Sequence, residues 1–407
     1  MERERSGVAV VVSGGGARGP YEGGVLAELL PALAAQKLRP DIFVGTSAGA
    51  INAVGFASMS HLCPEEAADA ALKLWQGVRW SSVFRSPLAA LVAPRGGASG
   101  RRRVKALLDT TPLAATLGRA IDWDRLHDNV DRGLVSVGVV ATAAATRRST
   151  VFLELAKGVE KPETDECRSI DYVATRLNVG HVLASSAIPL AFPPVEISQP
   201  SRATGWYVDG GLRLNTPLKP AVDLRAERLV VIATDPAEAA TDVGATGAVP
   251  PPSAGGGLAH LLYALLTDRM VEDLRTLARK NERATGDAEE GPDAIRWVFA
   301  GPSPGSAGPL AELAGQVVQG RAPGQRRRRA AGPRQWVGSW LARDPGRLEV
   351  LTHLLFDPEF INGAIELGRR DARRSLDRFG LPVWHLTGGS PTSVAPIRVD
   401  LMGADLS

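Results

Sequence analysis

Short runs of apolar, mostly β-branched residues alternate along the chain with longer stretches in which apolar residues recur every three or four positions. The runs, which predict strands, are residues 8–12, 42–44, 135–140, 151–155, 229–234 and 295–299. Residues 23–38, between the first two runs, carry valine and leucine at the spacing of one helix face. The first two runs are apolar throughout, as expected of strands covered on both faces of a parallel sheet. The pattern therefore predicts an α/β fold with a mostly parallel central sheet flanked by helices.

The second half of the chain contains segments without this periodicity. Residues 243–257 hold three consecutive prolines and three consecutive glycines, which predict a loop, and a helix is expected to follow it. Residues 301–334 are rich in Gly, Pro and Arg and predict an insertion without stable structure. The predicted units are a core at 6–300, the insertion at 301–334, a C-terminal part at 335–388 whose helices and last strand (382–386) pack on the core, and a tail at 389–407.

Composition limits the class of protein. With 407 residues, of which 44% are hydrophobic, the chain can bury a large core, which excludes a disordered protein. Its apolar runs stay well below the roughly 18 residues that a membrane span needs, and its charged first residues lead into a predicted strand rather than a signal peptide. We therefore expect a cytoplasmic protein. The two cysteines, Cys63 and Cys167, favour neither a metal cluster nor a disulfide framework.

Charge is nearly balanced, at +3 from 47 basic and 44 acidic residues, but its distribution is uneven. Four consecutive arginines begin at Arg326 and end at Arg329, and Trp336 and Trp340 follow them. A solvated charged surface and aromatic core packing are the ordinary explanations of these residues. The alternative is peripheral contact with a membrane, because arginine and tryptophan suit the headgroup boundary. No nucleic-acid partner is expected.

A G-x-S-x-G motif, Gly45-Thr46-Ser47-Ala48-Gly49, stands between the second predicted strand and a predicted helix. A sharp turn of this kind exposes the serine hydroxyl, and Gly45 and Gly49 remove the Cβ atoms that would crowd it. The positive end of the helix then faces any charge that develops near Ser47. Such a motif also arises by chance in a chain with 44 glycines, so a structural turn stays open as the alternative.

A glycine-rich loop, Gly14-Gly15-Gly16-Ala17-Arg18-Gly19, follows the first predicted strand. It satisfies the G-x-G-x-x-G pattern of dinucleotide sites, and it could equally offer backbone N–H groups as an oxyanion hole. A dinucleotide site also needs an acid about 20 residues further on, where Asp41 precedes the second strand instead of ending it. Because the Ser47 turn ends the neighbouring strand, we favour the oxyanion hole.

Ser47 requires a base to take its proton. In an α/β-hydrolase the base is a late histidine, and the candidates are His260, His353 and His385. Each of these lies in a pattern typical of a structural histidine. Asp209 ends a short predicted strand, and Gly210 and Gly211 after it leave room for a substrate or another backbone. A turn aspartate is the ordinary explanation, but an aspartate touching Ser47 can act as base if its surroundings raise its proton affinity.

Taken in order, the glycine-rich loop, the Ser47 motif and Asp209-Gly210-Gly211 resemble the patatin-like phospholipases. The stretch Ala184-Ser185-Ser186-Ala187-Ile188-Pro189, the triplet that starts at Asn215 and a helix ending near Asn281 agree with the same family. The resemblance covers roughly residues 7–300 and resumes near Gly363.

The resemblance implies a three-layer fold and a Ser47–Asp209 dyad that hydrolyses carboxylic ester bonds in lipids without histidine, metal or cofactor. It also implies an oxyanion hole formed by Gly15, Gly16 and Ala17, with Arg18 holding the loop. An acyltransferase or thioesterase with the same dyad is the nearest alternative. A nucleotide-binding module and a non-catalytic membrane adaptor are two further alternatives from other classes.

Overall fold

The computed structural model describes residues 6–85, 108–189, 191–235, 274, 276–281, 294–302, 308–319, 348 and 351–386. The strands are β1 (Val8–Val12), β2 (Ile42–Thr46), β3 (Ser136–Ala143), β4 (Ser149–Glu154), β5 (Ile170–Ala174), β6 (Val195–Ile197), β7 (Gly205–Asp209), β8 (Arg228–Ile232) and β9 (Arg296–Ala300). The helices are α1 (Gly19–Ala35), α2 (Ala48–Ser58), α3 (Pro64–Gly77), α4 (Trp80–Val83), α5 (Thr111–Ala120), α6 (Trp123–Asp131), α7 (Val179–Ser185), α8 (Leu218–Asp223), α9 (Pro309–Val318) and α10 (Pro358–Arg374).

These strands form one sheet in the order β5-β4-β3-β2-β1-β8-β9, and β7 and β6 pair outside this path. Five neighbouring strands of this order, β3, β2, β1, β8 and β9, are mutually parallel, whereas β4 runs antiparallel to β3. Strand β1, the middle one of the five parallel strands, is apolar throughout and fully buried, which explains its uninterrupted run of valine and alanine. The predicted mostly parallel α/β sheet with flanking helices is confirmed.

The sheet is covered on both faces, so the fold has three layers. Val8, Val10 and Val12 of β1 face one apolar cluster, which includes residues of α1, α2 and α10. Ala9 and Val11 point to the opposite face and to a second cluster, which includes α8 and two leucines near residue 277. The alternation follows from the two-residue period of a strand.

The pairing of β3 places the ends of two strands next to each other. On one side β3 pairs with β4, and on the other side it pairs with β2 as far as Val140, which lies opposite Thr46. From Ala141 onward β7 takes over as an antiparallel partner, with Asp209 opposite Ala141. The carboxyl end of β2 therefore meets the carboxyl end of β7.

Two predictions about the C-terminal half are wrong. Residues 309–318 form α9 with Leu310 and Ala314 buried, although the sequence predicts an insertion without stable structure over 301–334. Residues 382–386 make only isolated bridges, such as that between His385 and Trp297, instead of the predicted last strand. The helix was hidden by the glycine- and proline-rich composition around it, yet Gly308 at its N-cap and Pro309 at its first position are ordinary start signals.

Several predicted features lie outside the described residues: the loop at 243–257, the run from Arg326 to Arg329, Trp336, Trp340 and the tail at 389–407. The helix expected to end near residue 281 is described at 276–281, where the buried Asn281 side chain bonds to the backbone of Ile295 and Leu386. In the described ranges, no helix combines the length and the apolar character that crossing a membrane requires.

Candidate active site

Ser47 occupies a strained turn between β2 and α2. Its backbone has φ of +54° and ψ of −123°, a conformation that non-glycine residues rarely adopt and that costs of order 1–3 kcal/mol. A Cβ atom on Gly45 would lie 2.2 Å from the Gly49 carbonyl oxygen, and one on Gly49 would lie 2.2 Å from the Ser13 carbonyl oxygen. Glycine is therefore required on both sides of Ser47, because strand, turn and helix pass too close together for a side chain.

The Ser47 turn is fixed by a second serine. The Ser47 backbone N–H donates to Ser185 Oγ at 2.8 Å, and the Ser185 hydroxyl donates to the Val140 carbonyl oxygen at 2.5 Å. Ser185, which is fully buried at the end of α7, thus connects the turn to β3. Because the Ser47 N–H donates to Ser185, it is already paired within the protein.

The Asp209 carboxylate meets Ser47 directly. Ser47 Oγ donates to Asp209 Oδ2 at 2.7 Å, and the Gly211 N–H donates to Asp209 Oδ1 at 2.7 Å. The Asp209 backbone is anchored by its own N–H to the Ala187 carbonyl oxygen at 2.9 Å and by the Thr142 hydroxyl to its carbonyl oxygen at 3.0 Å. Both carboxylate oxygens are therefore oriented before any substrate arrives.

Burial changes the proton affinity of this carboxylate. Asp209 is only 1% exposed, and desolvation raises its pKa to about 6, against the hydrogen bonds from Ser47 and Gly211, which lower the pKa. A carboxylate with this pKa remains ionised at neutral pH while being a stronger base than an ordinary aspartate. The pair can therefore transfer the serine proton without an imidazole.

The glycine-rich loop lies against Ser47, since a Cβ on Gly14 would be 3.2 Å from the Ser47 Cβ. Four of its six N–H groups are already donated within the protein: Gly14 to Asn215 O, Ala17 to His353 O, Arg18 to Gly15 O and Gly19 to Gly16 O. Within the described chain, the N–H groups of Gly15 and Gly16 have no such acceptor. The prediction that Ala17 is a donor is therefore not supported by its geometry.

A segment far along the sequence holds this loop in place. Arg18 is buried, and its Nε donates to Thr352 Oγ1 at 2.6 Å while its Nη1 pairs with Asp235 at 2.9 Å. Gly16 has φ of +56°, and a Cβ there would lie 2.4 Å from the His353 carbonyl oxygen. The Arg18 side chain thus ties the loop to Thr352 and Asp235, and the His353 backbone packs against Gly16. Sequence reasoning missed Thr352 and the His353 backbone because no sequence motif contains them.

A buried polar network connects the loop to the helices behind it. Asn52 Nδ2 donates to the Gly19 carbonyl oxygen at 3.0 Å and to Glu22 Oε2 at 2.8 Å, and the Trp75 indole N–H donates to Asn52 Oδ1 at 2.8 Å. Burial raises the pKa of Glu22 well above its usual range. The network joins α1, α2 and α3 directly behind the candidate site.

Ser47 opens into a cavity of about 390 Å³. Its walls are mostly apolar and come from α2, α3 and α5, together with residues 186–192 and 353–356. The Ser186 hydroxyl lies at this wall, buried and without a hydrogen-bond partner in the described chain. The cavity has the size and apolar character of an organic-ligand site.

The alternative bases and the nucleotide hypothesis have less geometric support. His385 packs against Trp297, and burial lowers the pKa of His385. His353 lines the cavity, with its backbone bonded to the loop, and His260 lies outside the described residues. Asp41 accepts the Gly7 N–H at 3.1 Å, at the amino end of the strands and thus opposite the glycine-rich loop. In the described ranges, no three His, Cys, Asp or Glu side chains are grouped to hold a metal ion.

Comparison with known proteins agrees with the motifs. The model of the patatin-like phospholipase family matches residues 10–222, which is more than half of the chain and includes Ser47 and Asp209. No curated protein matches the sequence. Among solved structures, the crystal structure of VipD from Legionella pneumophila is similar at 13% identity and a TM-score of 0.31, over 87% of this chain and 67% of that one. A TM-score this low supports no statement about fold or function.

Proposed function

The chain belongs to the patatin-like phospholipase family, and from this premise we propose that it is a lipid acyl hydrolase with Ser47 as nucleophile and Asp209 as general base. The observation that carries the proposal is the 2.7 Å hydrogen bond from Ser47 Oγ to Asp209 Oδ2 at the floor of an apolar cavity. Nucleophile and base within hydrogen-bond reach, with the base oriented by a third group, are the parts of an acyl-transfer site.

Acylation begins when Ser47 Oγ attacks the carbonyl carbon of the ester and its proton passes to Asp209 Oδ2. The carbonyl oxygen becomes an oxyanion, for which we assign the Gly15 and Gly16 N–H groups as donors, since their neighbours donate elsewhere. The N-terminus of α2 adds a positive field at the same place. Collapse of the intermediate breaks the bond to the alcohol, which leaves with the proton from Asp209.

Deacylation repeats these steps with water. Asp209 takes a proton from a water molecule as it attacks the acyl carbon, and returns that proton to Ser47 Oγ as the ester bond breaks. The products are a carboxylic acid and the regenerated serine. Each step transfers one proton through Asp209, so the ionised carboxylate is the active form of the free enzyme.

Hydrolysis of short p-nitrophenyl esters tests the proposal. Ser47→Ala should abolish turnover, and Asp209→Asn should reduce kcat/KM by about 10²–10⁴-fold, the contribution of a positioned general base. Ser58→Ala is the matched control, since Ser58 lies at the far end of α2 and its hydroxyl donates, among the described residues, only to the Gly55 carbonyl oxygen. In the unmodified protein, kcat/KM should rise with pH through a single ionisation near pH 6. Turnover by Ser47→Ala at the rate of Ser58→Ala would contradict the proposal.

A further inference from the structure

The cavity at Ser47 extends along one face of α2. Ala48, Ile51, Gly55, Phe56 and Met59 line it at the three- and four-residue spacing of a single helix face. Ser47 is at the amino end of this face and Met59 is at the other end, beyond the 11 residues of the helix. At 1.5 Å per residue, the lined face is roughly 16 Å long. The cavity is therefore a groove that starts at the candidate nucleophile.

The opposite wall of this groove is also apolar. It contains Trp75 of α3, Leu113 and Leu117 of α5, and Ile121, all of them buried. Lys73 and Arg119 are exposed at its rim, and no acidic residue is among its described lining residues. A groove of this composition suits a long apolar group and accepts an anion at its edge.

The length of the groove sets the size of the occupant. Three backbone bonds span about 3.6 Å when extended, or about 1.2 Å per bond, so a groove of roughly 16 Å accommodates about 13 bonds. The volume of about 390 Å³ lies within the range of pockets that bind organic ligands of this size. Both observations fit one acyl chain.

Gly55 makes room for the chain part of the way along the groove. It lies roughly 10 Å beyond Ala48 along the helix axis, and a Cβ placed on it meets no heavy atom of the described chain within 4 Å. Glycine inside a helix costs roughly 0.5–1 kcal/mol relative to alanine, and no contact of Gly55 with its neighbours requires it. A larger side chain here would block the groove beyond about eight bonds from Ser47.

We infer that the groove along α2 binds a single acyl chain of about 12 carbons and that Gly55 determines the length accepted. The inference rests on the proposed function for the ester bond, but the groove itself can be tested by binding. It identifies the substrate class as esters of medium-length fatty acids, with the carbonyl carbon at Ser47 and the methyl end near Met59.

Two measurements test the groove. In the first, kcat/KM is determined for p-nitrophenyl esters of 4 to 16 carbons, and Gly55→Leu should reduce the ratio of laurate to butyrate at least tenfold. Gly118→Leu is the matched control, because Gly118 lies in α5 outside the groove and a Cβ there meets only Val179, at 3.9 Å. Its ratio should equal that of the unmodified protein.

The second measurement does not need catalysis. Dodecanoate is titrated calorimetrically into Ser47→Ala and into Ser47→Ala with Gly55→Leu, and the second variant should bind at least tenfold more weakly. Binding of equal strength by both, or an unchanged laurate-to-butyrate ratio in Gly55→Leu, overturns the inference while leaving the proposed hydrolase intact. Binding that depends on Gly55 in a protein that hydrolyses no ester supports the groove and overturns the proposed function instead.

Discussion

Replacing Asp209 with asparagine should change the stability of the folded protein more favourably at pH 8 than at pH 5. Burial raises the pKa of Asp209 from 3.8 to about 6, so the folded protein holds this proton more tightly than the unfolded chain. The resulting contribution to stability is fully present below about pH 3.8 and is lost as the pH rises through about 6. At pH 8 the ionised, buried carboxylate therefore opposes folding.

The size of the effect follows from the pKa. A rise of about two pKa units costs about 3 kcal/mol of unfolding free energy at pH 8, and about half as much at pH 5. Asparagine does not ionise, so it removes this cost. The single carbonyl oxygen of asparagine cannot replace both Asp209 oxygens, which accept from Ser47 Oγ and from the Gly211 N–H. That loss is the same at both pH values. The difference between the two pH values, on the order of 1 kcal/mol, therefore isolates the ionisation of Asp209.

Urea unfolding followed by far-UV circular dichroism measures this difference. The free energy of unfolding of Asp209→Asn, minus that of the unmodified protein, should be larger at pH 8 than at pH 5 by on the order of 1 kcal/mol. Ser58→Ala serves as the control, because neither serine nor alanine titrates in this range. A change in stability that is equal at the two pH values, or larger at pH 5, would refute the reasoning about Asp209.

The remaining predictions concern the groups that hold the site. Thr352→Val should reduce kcat with little change in KM in steady-state assays, because the glycine-rich loop loses a buried hydrogen bond. Thr352→Ser keeps the hydroxyl and should restore kcat. Ser185→Ala leaves the Ser47 N–H unpaired and should lower the free energy of unfolding by about 1–3 kcal/mol in urea titrations. Gly49→Ala should not fold, since its Cβ would meet backbone oxygen, whereas Gly55→Ala should raise the melting temperature. Circular dichroism distinguishes this pair.

Local patterns made much of the site predictable from the sequence. The buried strands are continuous apolar runs, and the turn around Ser47 needs its glycines at fixed spacing for steric reasons that act within a few residues. Asp209 was identified by the short strand before it and the glycines after it. Strand β7 pairs with β3 just beyond the end of β2, which explains why Ser47 and Asp209, distant in sequence, meet.

Other features depend on contacts that no local pattern contains. Thr352 bonds to Arg18 across 334 positions of sequence, and the His353 carbonyl oxygen takes the Ala17 N–H that the sequence had suggested as an oxyanion donor. Helix α9 was missed because the residues around it dominate the composition of its segment. Tertiary packing, rather than propensity, therefore decides the contacts of Thr352 and His353, whereas α9 carries local start signals at Gly308 and Pro309.

In the proposed mechanism Ser47 forms the covalent acyl intermediate with Asp209 as its base. This can be tested by labelling the protein with an alkyl fluorophosphonate, followed by peptide mapping with mass spectrometry. We expect one adduct per chain, located on Ser47, absent in Ser47→Ala and formed more slowly in Asp209→Asn. An adduct on another residue, or undiminished labelling of Ser47→Ala, would contradict this mechanism.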